Sequence, residues 1–267
     1  MLNKKTKSII GLSLLISSAG IIAPNLVHAN SDNNSTIHKE ESVSPRGYAS
    51  GDIVGFIGTG WVSNVKFYGQ AFVNTSNGNG TGKATITSST PVSAGRLGVS
   101  ASLFDENLVL LESTPYKYNT VTTTSHTAQT RSQWGGPKYR GGGAVRCTIA
   151  QSDYITKSLS RTSAVSAFSL KSLDMLKDSN LSDEEIKERE YMLEEKNMVA
   201  AKATNGMIGY ISIDDYEDDE ILNAKSVEEI LKIQSQRTSG YSRAINVYDK
   251  DNNIIGEFII ANGEDVK

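Results

Sequence analysis

The segment "VSAGRLGVSASLFDENLVLLEST", Val92–Thr114, indicates the fold of the N-terminal half of this chain. Two runs of small, branched and apolar residues lie on either side of residues 105–107, Asp-Glu-Asn, whose polar side chains favour a turn. A β-prone run on each side of a turn predicts two antiparallel strands. The same composition recurs before and after this segment, in "WVSNVKFYGQAFV" (Trp61–Val73), "GKATITSST" (Gly82–Thr90) and "GAVRCTIA" (Gly143–Ala150).

Residues 45–161 contain six to eight such runs, separated by Gly- and Asn-rich turns and without helical periodicity. Short strands at this spacing predict an antiparallel β-sandwich domain. The sequence pattern changes in residues 162–267, where helix signals appear. Ser182 and Ser226 each begin a Ser-x-x-Glu capping box, which predicts two helices. The expected fold is mainly β, an antiparallel β-sandwich followed by a small α+β C-terminal region.

Three further elements are predicted in that C-terminal region. "SAVSAFSLKSLDMLK" (Ser163–Lys177) has apolar residues near helical spacing. Asn205-Gly206 separates two short apolar runs and is a strong hairpin signal. "AINVYDKDNNIIGEFII" (Ala244–Ile260) predicts a terminal hairpin. A region this small is expected to need the sandwich in order to fold.

The first residues predict export. Three lysines precede an apolar stretch over residues 9–22, and Val27-His28-Ala29 is a small-x-small cleavage site, so residues 1–29 are interpreted as a secretory signal peptide. Residues 30–44 are polar and predict a flexible lead. No later run approaches about 18 apolar residues, so no transmembrane segment is expected after signal removal. The n-region and the single cysteine favour a protein secreted by a Gram-positive bacterium.

The formal net charge of −3 is distributed unevenly along the chain. Residues 45–161 contain eleven Lys and Arg against five Asp and Glu, a net charge of +6. Residues 162–267 contain twelve against twenty-two, a net charge of −10. Because opposite charges attract within one compact molecule, we expect the acidic region to cover the basic loop of the sandwich.

That basic loop is "RSQWGGPKYRGGGAVR", Arg131–Arg146. It cannot be a nucleotide-binding loop, because Gly142-Gly143 stands where such a loop has Lys-Ser and a strand follows. One interpretation is a simple hairpin connection. The other is a contact for a polyanion or a sugar, in which four cations converge on one edge and two aromatic rings stack on the ligand. The residues predicted to bind are Arg131, Trp134, Lys138, Tyr139, Arg140 and Arg146.

Catalytic and metal-binding patterns are weak. Cys147 is the only cysteine and reads as a small buried strand residue. His126 lies in an alternating strand-like run, and no Gly-x-Ser-x-Gly or His-Glu-x-x-His motif accompanies it. Asp249 begins a partial calcium-loop pattern that lacks its Gly and Glu, which favours a turn. The acidic run "IDDYEDDEI" (Ile213–Ile221) reads as a solvated loop. We therefore expect no enzyme activity, no metal and no cofactor.

Two portions resemble known secreted proteins. "MVAAKATNGMIGYISIDDYED", "SVEEILKIQSQR" and "RAINVYDKDNNIIGEFII", within about residues 197–262, resemble a C-terminal segment of small secreted proteins of bacilli and relatives. Some of those proteins are labelled zinc peptidases of the beta-lactam-sensor type. The zinc ligands that this label implies are not in the sequence, so no peptidase activity is carried over. "NGMIGYISIDDY" is also similar to a strand of bacterial Src-homology-3-like wall modules, and Pro91–Asn119 to β-rich secreted proteins of bacilli.

Together these features predict an exported, non-enzymatic protein at or near the Gram-positive cell envelope. Its expected partner is an anionic cell-wall polymer or a glycan, bound through the basic loop, and no nucleic acid. The alternative is a secreted bacteriocin or membrane-active toxin, because the Ser/Thr-rich run Thr120–Thr130 loosely resembles the membrane-inserting hairpins of pore formers. Its shortage of apolar residues counts against that alternative, since every second residue of such a hairpin faces lipid.

Overall fold

The computed structural model describes residues 46–150, 153–167, 182–238 and 240–263. The signal peptide and the polar lead predicted for residues 1–44 lie outside the described residues. The described part is mainly β and contains two sheets that pack face to face. The predicted class, an antiparallel sandwich followed by a small α+β region, is confirmed.

The first sheet has the strand order β1-β3-β4-β8, with β2 beside β3 and β9 beside β4. All of its pairings are antiparallel. Its strands are β1 (Arg46–Ser50), β2 (Val54–Ile57), β3 (Lys66–Ser76), β4 (Asn79–Val92), β8 (Thr123–Gln129) and β9 (Gln133–Trp134). A short 3-10 turn, Gly60–Val62, connects β2 to β3.

The second sheet has the order β11-β10-β5-β6-β13-β14-β15-β16. From the N-terminal half it takes β5 (Leu97–Asp105), β6 (Leu110–Ser113), β7 (Lys117–Tyr118), β10 (Lys138–Ala150), β11 (Asp153–Ser158) and β12 (Val165–Ser166). From the C-terminal region it takes β13 (Met198–Lys202), β14 (Ile208–Ser212), β15 (Ser242–Tyr248) and β16 (Ile254–Ala261). The sheet therefore runs through both regions of the chain.

The predicted hairpin at residues 105–107 is confirmed. β5 and β6 pair antiparallel, with Leu103 opposite Glu112. The Asp105 carboxylate accepts a hydrogen bond from the Val109 amide at 2.9 Å, which fixes the turn as an Asx motif.

Strand alternation builds the core between the two sheets. Inward side chains from β3, β4, β5 and β10 form one cluster with Phe67, Ile86, Leu97, Val145 and Cys147, all fully buried. Outward residues of the same strands are polar in the first sheet, as expected for a sandwich strand with one face in water. The burial of Cys147 confirms its interpretation as a core residue.

Five strands form a closed ring that joins the C-terminal region to the sandwich. β13 pairs with β14, β14 with β15, and β15 with β16, all antiparallel. Two parallel contacts with β6 close the ring, at Ala201–Leu110 and at Ile260–Ser113. The interior of the ring also takes Phe104 from β5. The ring is thus completed by a strand of the sandwich, in line with the expected dependence of this region on it.

The described residues of the C-terminal region form four helices: α1 (Asp183–Lys196), α2 (Ile213–Tyr216), α3 (Asp219–Leu222) and α4 (Val227–Gln236). The capping box at Ser182 is confirmed in both directions. Ser226 caps α4, but the Glu229 carboxylate accepts from the Lys225 amide instead of the Ser226 amide.

The helix predicted over Ser163–Lys177 is not found in its described part. Val165–Ser166 is strand β12, paired with β10, and residues 168–177 lie outside the described residues. No described helix is long and apolar enough to cross a membrane.

Candidate functional site

Two cations of the basic loop are neutralised by the sandwich itself. The Arg131 guanidinium contacts the Glu112 carboxylate at 2.9 Å, and the Lys138 ammonium lies 3.2 Å from Glu106. Both acids belong to the β5–β6 hairpin. The Arg140 guanidinium donates to the backbone oxygens of Glu106 and Thr162. Among the described residues, the carboxylates that pair with Arg131 and Lys138 thus both belong to the N-terminal half.

Two of the residues predicted to bind a ligand are buried, which corrects that prediction. Tyr139 is fully buried against β4, where Gly80 leaves room for its ring, and its hydroxyl accepts a hydrogen bond from the Gly136 amide at 2.7 Å. Arg146 is only 3% exposed. The four cations do not converge on one edge, because Arg146 lies on the outer face of the second sheet beneath the C-terminal region. Trp134, 74% exposed, is the member of the set that reaches furthest into solvent.

The Arg146 guanidinium contacts the rings of two tyrosines and forms an ion pair with one acid. Its guanidinium carbon is 3.9 Å from the centroid of Tyr116 and 4.9 Å from that of Tyr154. Its Nη2 donates to both oxygens of Glu217, at 2.8 and 2.7 Å. Burial opposes the charge, but the tyrosine hydroxyls and Glu217 offset it and raise the pKa of Arg146 above its ordinary value. This ion pair joins the basic and acidic regions.

A cluster of hydroxyl groups completes the same junction. The Tyr216 hydroxyl contacts the hydroxyls of Ser100, at 2.7 Å, and Ser113, and donates to the Thr114 carbonyl at 3.2 Å. Ser100 points outward from β5, so Tyr216 caps the outer face of the second sheet. On the same face, the Gln234 side-chain amide accepts a hydrogen bond from the Tyr118 amide and donates one to the Tyr118 carbonyl. We call this outer face, packed under α2, α3 and α4, the covered face.

The outward side of the first sheet, which we call the open face, has the opposite character. No strand of that sheet contains Asp or Glu. The strand register places its outward residues in rows. One row consists of Arg46, Ser76, Asn79 and Trp134, the next of Tyr48, Asn74 and Thr81, and the third of Ser50, Phe72 and Lys83.

Aromatic rings lie exposed among these polar groups. Tyr48 is 62% exposed and stacks on Phe72, with ring centroids 6.0 Å apart. Tyr68 is exposed four residues before Phe72 on the same strand. The Lys83 ammonium lies 6.0 Å from the centre of the Phe72 ring. The open face therefore combines flat apolar rings with hydroxyl and amide groups and carries no negative charge on its strands.

A shallow trough crosses one end of the open face. It is lined by Tyr48, Asn74, Ser76, Asn79, Thr81 and Ser132. Within the described part of the chain, the side chains of Asn74, Ser76 and Thr81 make no hydrogen bond to protein. Their donors and acceptors are therefore available to a ligand.

The remaining sequence candidates are structural. His126 faces inward from β8, and burial lowers its pKa to about 4. Burial raises the pKa of the Cys147 thiol to about 12, which opposes thiolate formation. Asp249 accepts hydrogen bonds from the amides of Asp251 and Asn253, as in the predicted turn. Among the described residues no group of His, Cys, Asp and Glu could hold a metal ion.

The acidic run Ile213–Ile221 is not a solvated loop as predicted. It forms α2 and α3, and Asp218 is buried in an ion pair with Arg237, whose guanidinium donates to the carboxylate at 2.5 Å. Burial opposes ionisation of Asp218, but the hydrogen bonds from Arg237 outweigh it and lower the pKa of the carboxyl. Tyr216, Glu217 and Asp218 of this run therefore make contacts that stabilise the C-terminal region.

Comparison with protein-family models, with curated proteins and with solved structures finds no significant match to this chain. The resemblances drawn from the sequence stay predictions. The open face was missed by reasoning from sequence, because its rows unite residues from strands that are distant along the chain. The signal that was present is the alternation in β3, where polar or aromatic residues take every second position.

Proposed function

We propose that the protein is an exported, non-enzymatic protein that binds a glycan of the Gram-positive cell envelope through its open face. The observation that carries the proposal is the pair of exposed aromatic rings, Tyr48 and Trp134, on a sheet face whose strands contain no acids. Large exposed rings cost free energy in water, and the stacked rings of Tyr48 and Phe72 form an exposed apolar patch of the kind that marks a binding surface. Sugar rings have an apolar face that packs on an aromatic ring, and hydroxyls that bond to amides and alcohols.

The other supports are the signal peptide pattern in residues 1–29 and the position of Trp134 in the basic loop. Of the two partners expected from the sequence, the glycan is favoured over the anionic polymer. The reason is that Arg131 and Lys138 already pair with carboxylates, and Arg146 is buried. A polyanion would have to displace Glu112 and Glu106 to reach those charges.

The test is sedimentation with Gram-positive sacculi, before and after chemical removal of teichoic acid. We expect the protein to sediment equally with both preparations. The double variant Tyr48→Ala/Trp134→Ala should stay in the supernatant. Tyr191→Ala is the matched control, because Tyr191 is 52% exposed but lies on α1, which packs beside β13 of the second sheet and not on the open face. Loss of binding on removal of teichoic acid would favour the anionic polymer, and equal binding by the double variant would refute the proposal.

Membrane activity stays the alternative function. Residues Ser125, Thr127 and Gln129 of β8 pair with the outward residues of β4, so this run contributes hydroxyls and an amide to the open face. Dye release from anionic liposomes tests this alternative, and we expect none.

A further inference from the structure

We infer that the trough is the specific subsite of the open face and that it takes a neutral sugar chain lying across the strands, between Tyr48 and Trp134. This inference rests on the proposed function and narrows it from a whole sheet face to one end of it. Its basis is the arrangement of two aromatic rings on opposite sides of a polar floor.

The floor is defined by the strand register. Tyr48 on β1 lies beside Asn74 on β3, which lies beside Thr81 on β4. In the adjacent row, Asn79 on β4 lies beside Trp134 on β9. Residues paired in this way share one face of the sheet. Because neighbouring strands are about 4.8 Å apart, the backbones of β1 and β9, which carry the two rings, lie roughly 14 Å apart across the sheet. That span is longer than one pyranose ring, so it suits a short run of sugars.

The chemistry of the floor selects the class of ligand. Asn74 offers a carboxamide that donates and accepts at once, and Ser76 and Thr81 each offer a hydroxyl. Asn79 contributes an amide whose one protein contact is long, 3.5 Å to the Asn77 carbonyl. Vicinal hydroxyls of a sugar present the complementary mixture of donors and acceptors. The residues that line the trough are uncharged, so its floor offers no counter-charge to an anionic or a cationic ligand. The nearest charged residue in the register is Arg46, opposite Ser76 at the end of β1.

Tyr68, on the open face but outside the trough, serves as a comparison for the trough residues. Tyr68 is exposed on the same strand as Asn74 but lies six residues, about 20 Å, from it. Its neighbours in the row are Thr87 and Ser125, and Thr87 already donates to the Tyr68 carbonyl. A ligand held by the trough would not need Tyr68. A ligand that adheres to the whole face would use Tyr68 as much as Tyr48.

Affinity gel electrophoresis with soluble neutral polysaccharides, a β-glucan and a galactomannan, and with lipoteichoic acid tests the inference. The full secreted chain should be retarded by at least one neutral polysaccharide, equally at low and at high salt, since no ion pair is involved. Tyr48→Ala, Trp134→Ala and Asn74→Leu should each weaken the retardation roughly tenfold, as loss of a central contact does. Tyr68→Ala, which changes an exposed ring outside the trough, should leave it unchanged.

The outcomes separate this inference from the proposed function. If Tyr68→Ala weakens binding as much as Tyr48→Ala, the trough is not the subsite, although the open face still binds. If lipoteichoic acid alone retards the protein, in a salt-sensitive way, the ligand is anionic and the inference is overturned. If the protein binds sacculi and ignores each soluble neutral polysaccharide, the neutral-sugar assignment is overturned. If it binds neither sacculi nor any soluble polysaccharide, the proposed function fails as well. Each variant is first shown by circular dichroism to be folded.

Discussion

The outer faces of the two sheets arise from the same alternation of side chains along the strands. They differ in whether their polar side chains form hydrogen bonds within the protein. On the covered face Arg146 meets Glu217, and the Tyr216 hydroxyl meets Ser100 and Ser113. On the open face the side chains of Asn74, Ser76 and Thr81 make no hydrogen bond to any described residue, and aromatic rings are exposed beside them. Polar groups that are satisfied internally hold a structure together, whereas polar groups left open beside exposed rings are available for binding.

The comparison predicts that the covered face is sensitive to loss of one charge. Glu217→Ala should lower the free energy of unfolding by about 3–5 kcal/mol, because it leaves the buried Arg146 guanidinium without its counter-charge. The control is Glu220→Ala, which removes a 71% exposed carboxylate that also bonds an arginine, Arg237, and should cost under about 1 kcal/mol. Urea unfolding measures both. Equal losses in the two variants would show that the Arg146 pair is no more than a surface contact.

A second prediction concerns pH and the interior between the faces. The pKa of His126 is lowered from 6.5 to about 4 by burial, so the folded protein binds fewer protons than the unfolded chain between these values. Stability should therefore fall as the pH drops from about 6.5 to about 4, and the drop should be roughly 3 kcal/mol at about 1.36 kcal/mol per pKa unit. Urea unfolding from pH 7 to pH 4 checks this against His126→Gln. Parallel curves for the two proteins would contradict the burial of a neutral imidazole.

The third prediction tests the core beneath both faces. Cys147→Ser should lower stability by about 1–3 kcal/mol, because a hydroxyl replaces a thiol in an apolar cluster. Binding to sacculi should be unchanged. The native thiol should also resist labelling until the protein unfolds, and rapid labelling at neutral pH would contradict its burial.

The smallest effect on stability is expected on the open face. Tyr48→Ala and Trp134→Ala should each change the free energy of unfolding by about 0.5 kcal/mol or less, since both rings are mostly in water. The same unfolding experiments measure it. A loss of several kcal/mol would mean that these rings are part of the fold, and the contrast between the faces would disappear.

Local signals predicted the fold well. The hairpin at residues 105–107, the Ser182 cap and the Asn205-Gly206 hairpin each depend on a few neighbouring residues, and each is confirmed. The helix over Ser163–Lys177 begins wrongly, because pairing with β10 overrides the periodicity at Val165. Tertiary contacts often override local patterns in this way.

The candidate site was less predictable, because it depends on contacts between distant residues. The sequence showed Arg146 as one of four loop cations, but its partner Glu217 is 71 residues away. Alternation could tell that Arg146 and Cys147 face opposite sides of β10. It could not tell which side the C-terminal region would cover. Likewise, the trough exists only because β1, β3, β4 and β9 pair in one register.

The contrast between the two faces is tested most directly by sedimentation of two variants with sacculi freed of teichoic acid. One is the open-face variant Tyr48→Ala/Trp134→Ala, and the other is the covered-face variant Glu217→Ala, each at a temperature where it is folded. We expect the open-face variant to lose binding with its stability unchanged, and the covered-face variant to bind like the natural protein despite its lower stability. Full binding by the open-face variant, or loss of binding confined to the folded covered-face variant, would contradict the account.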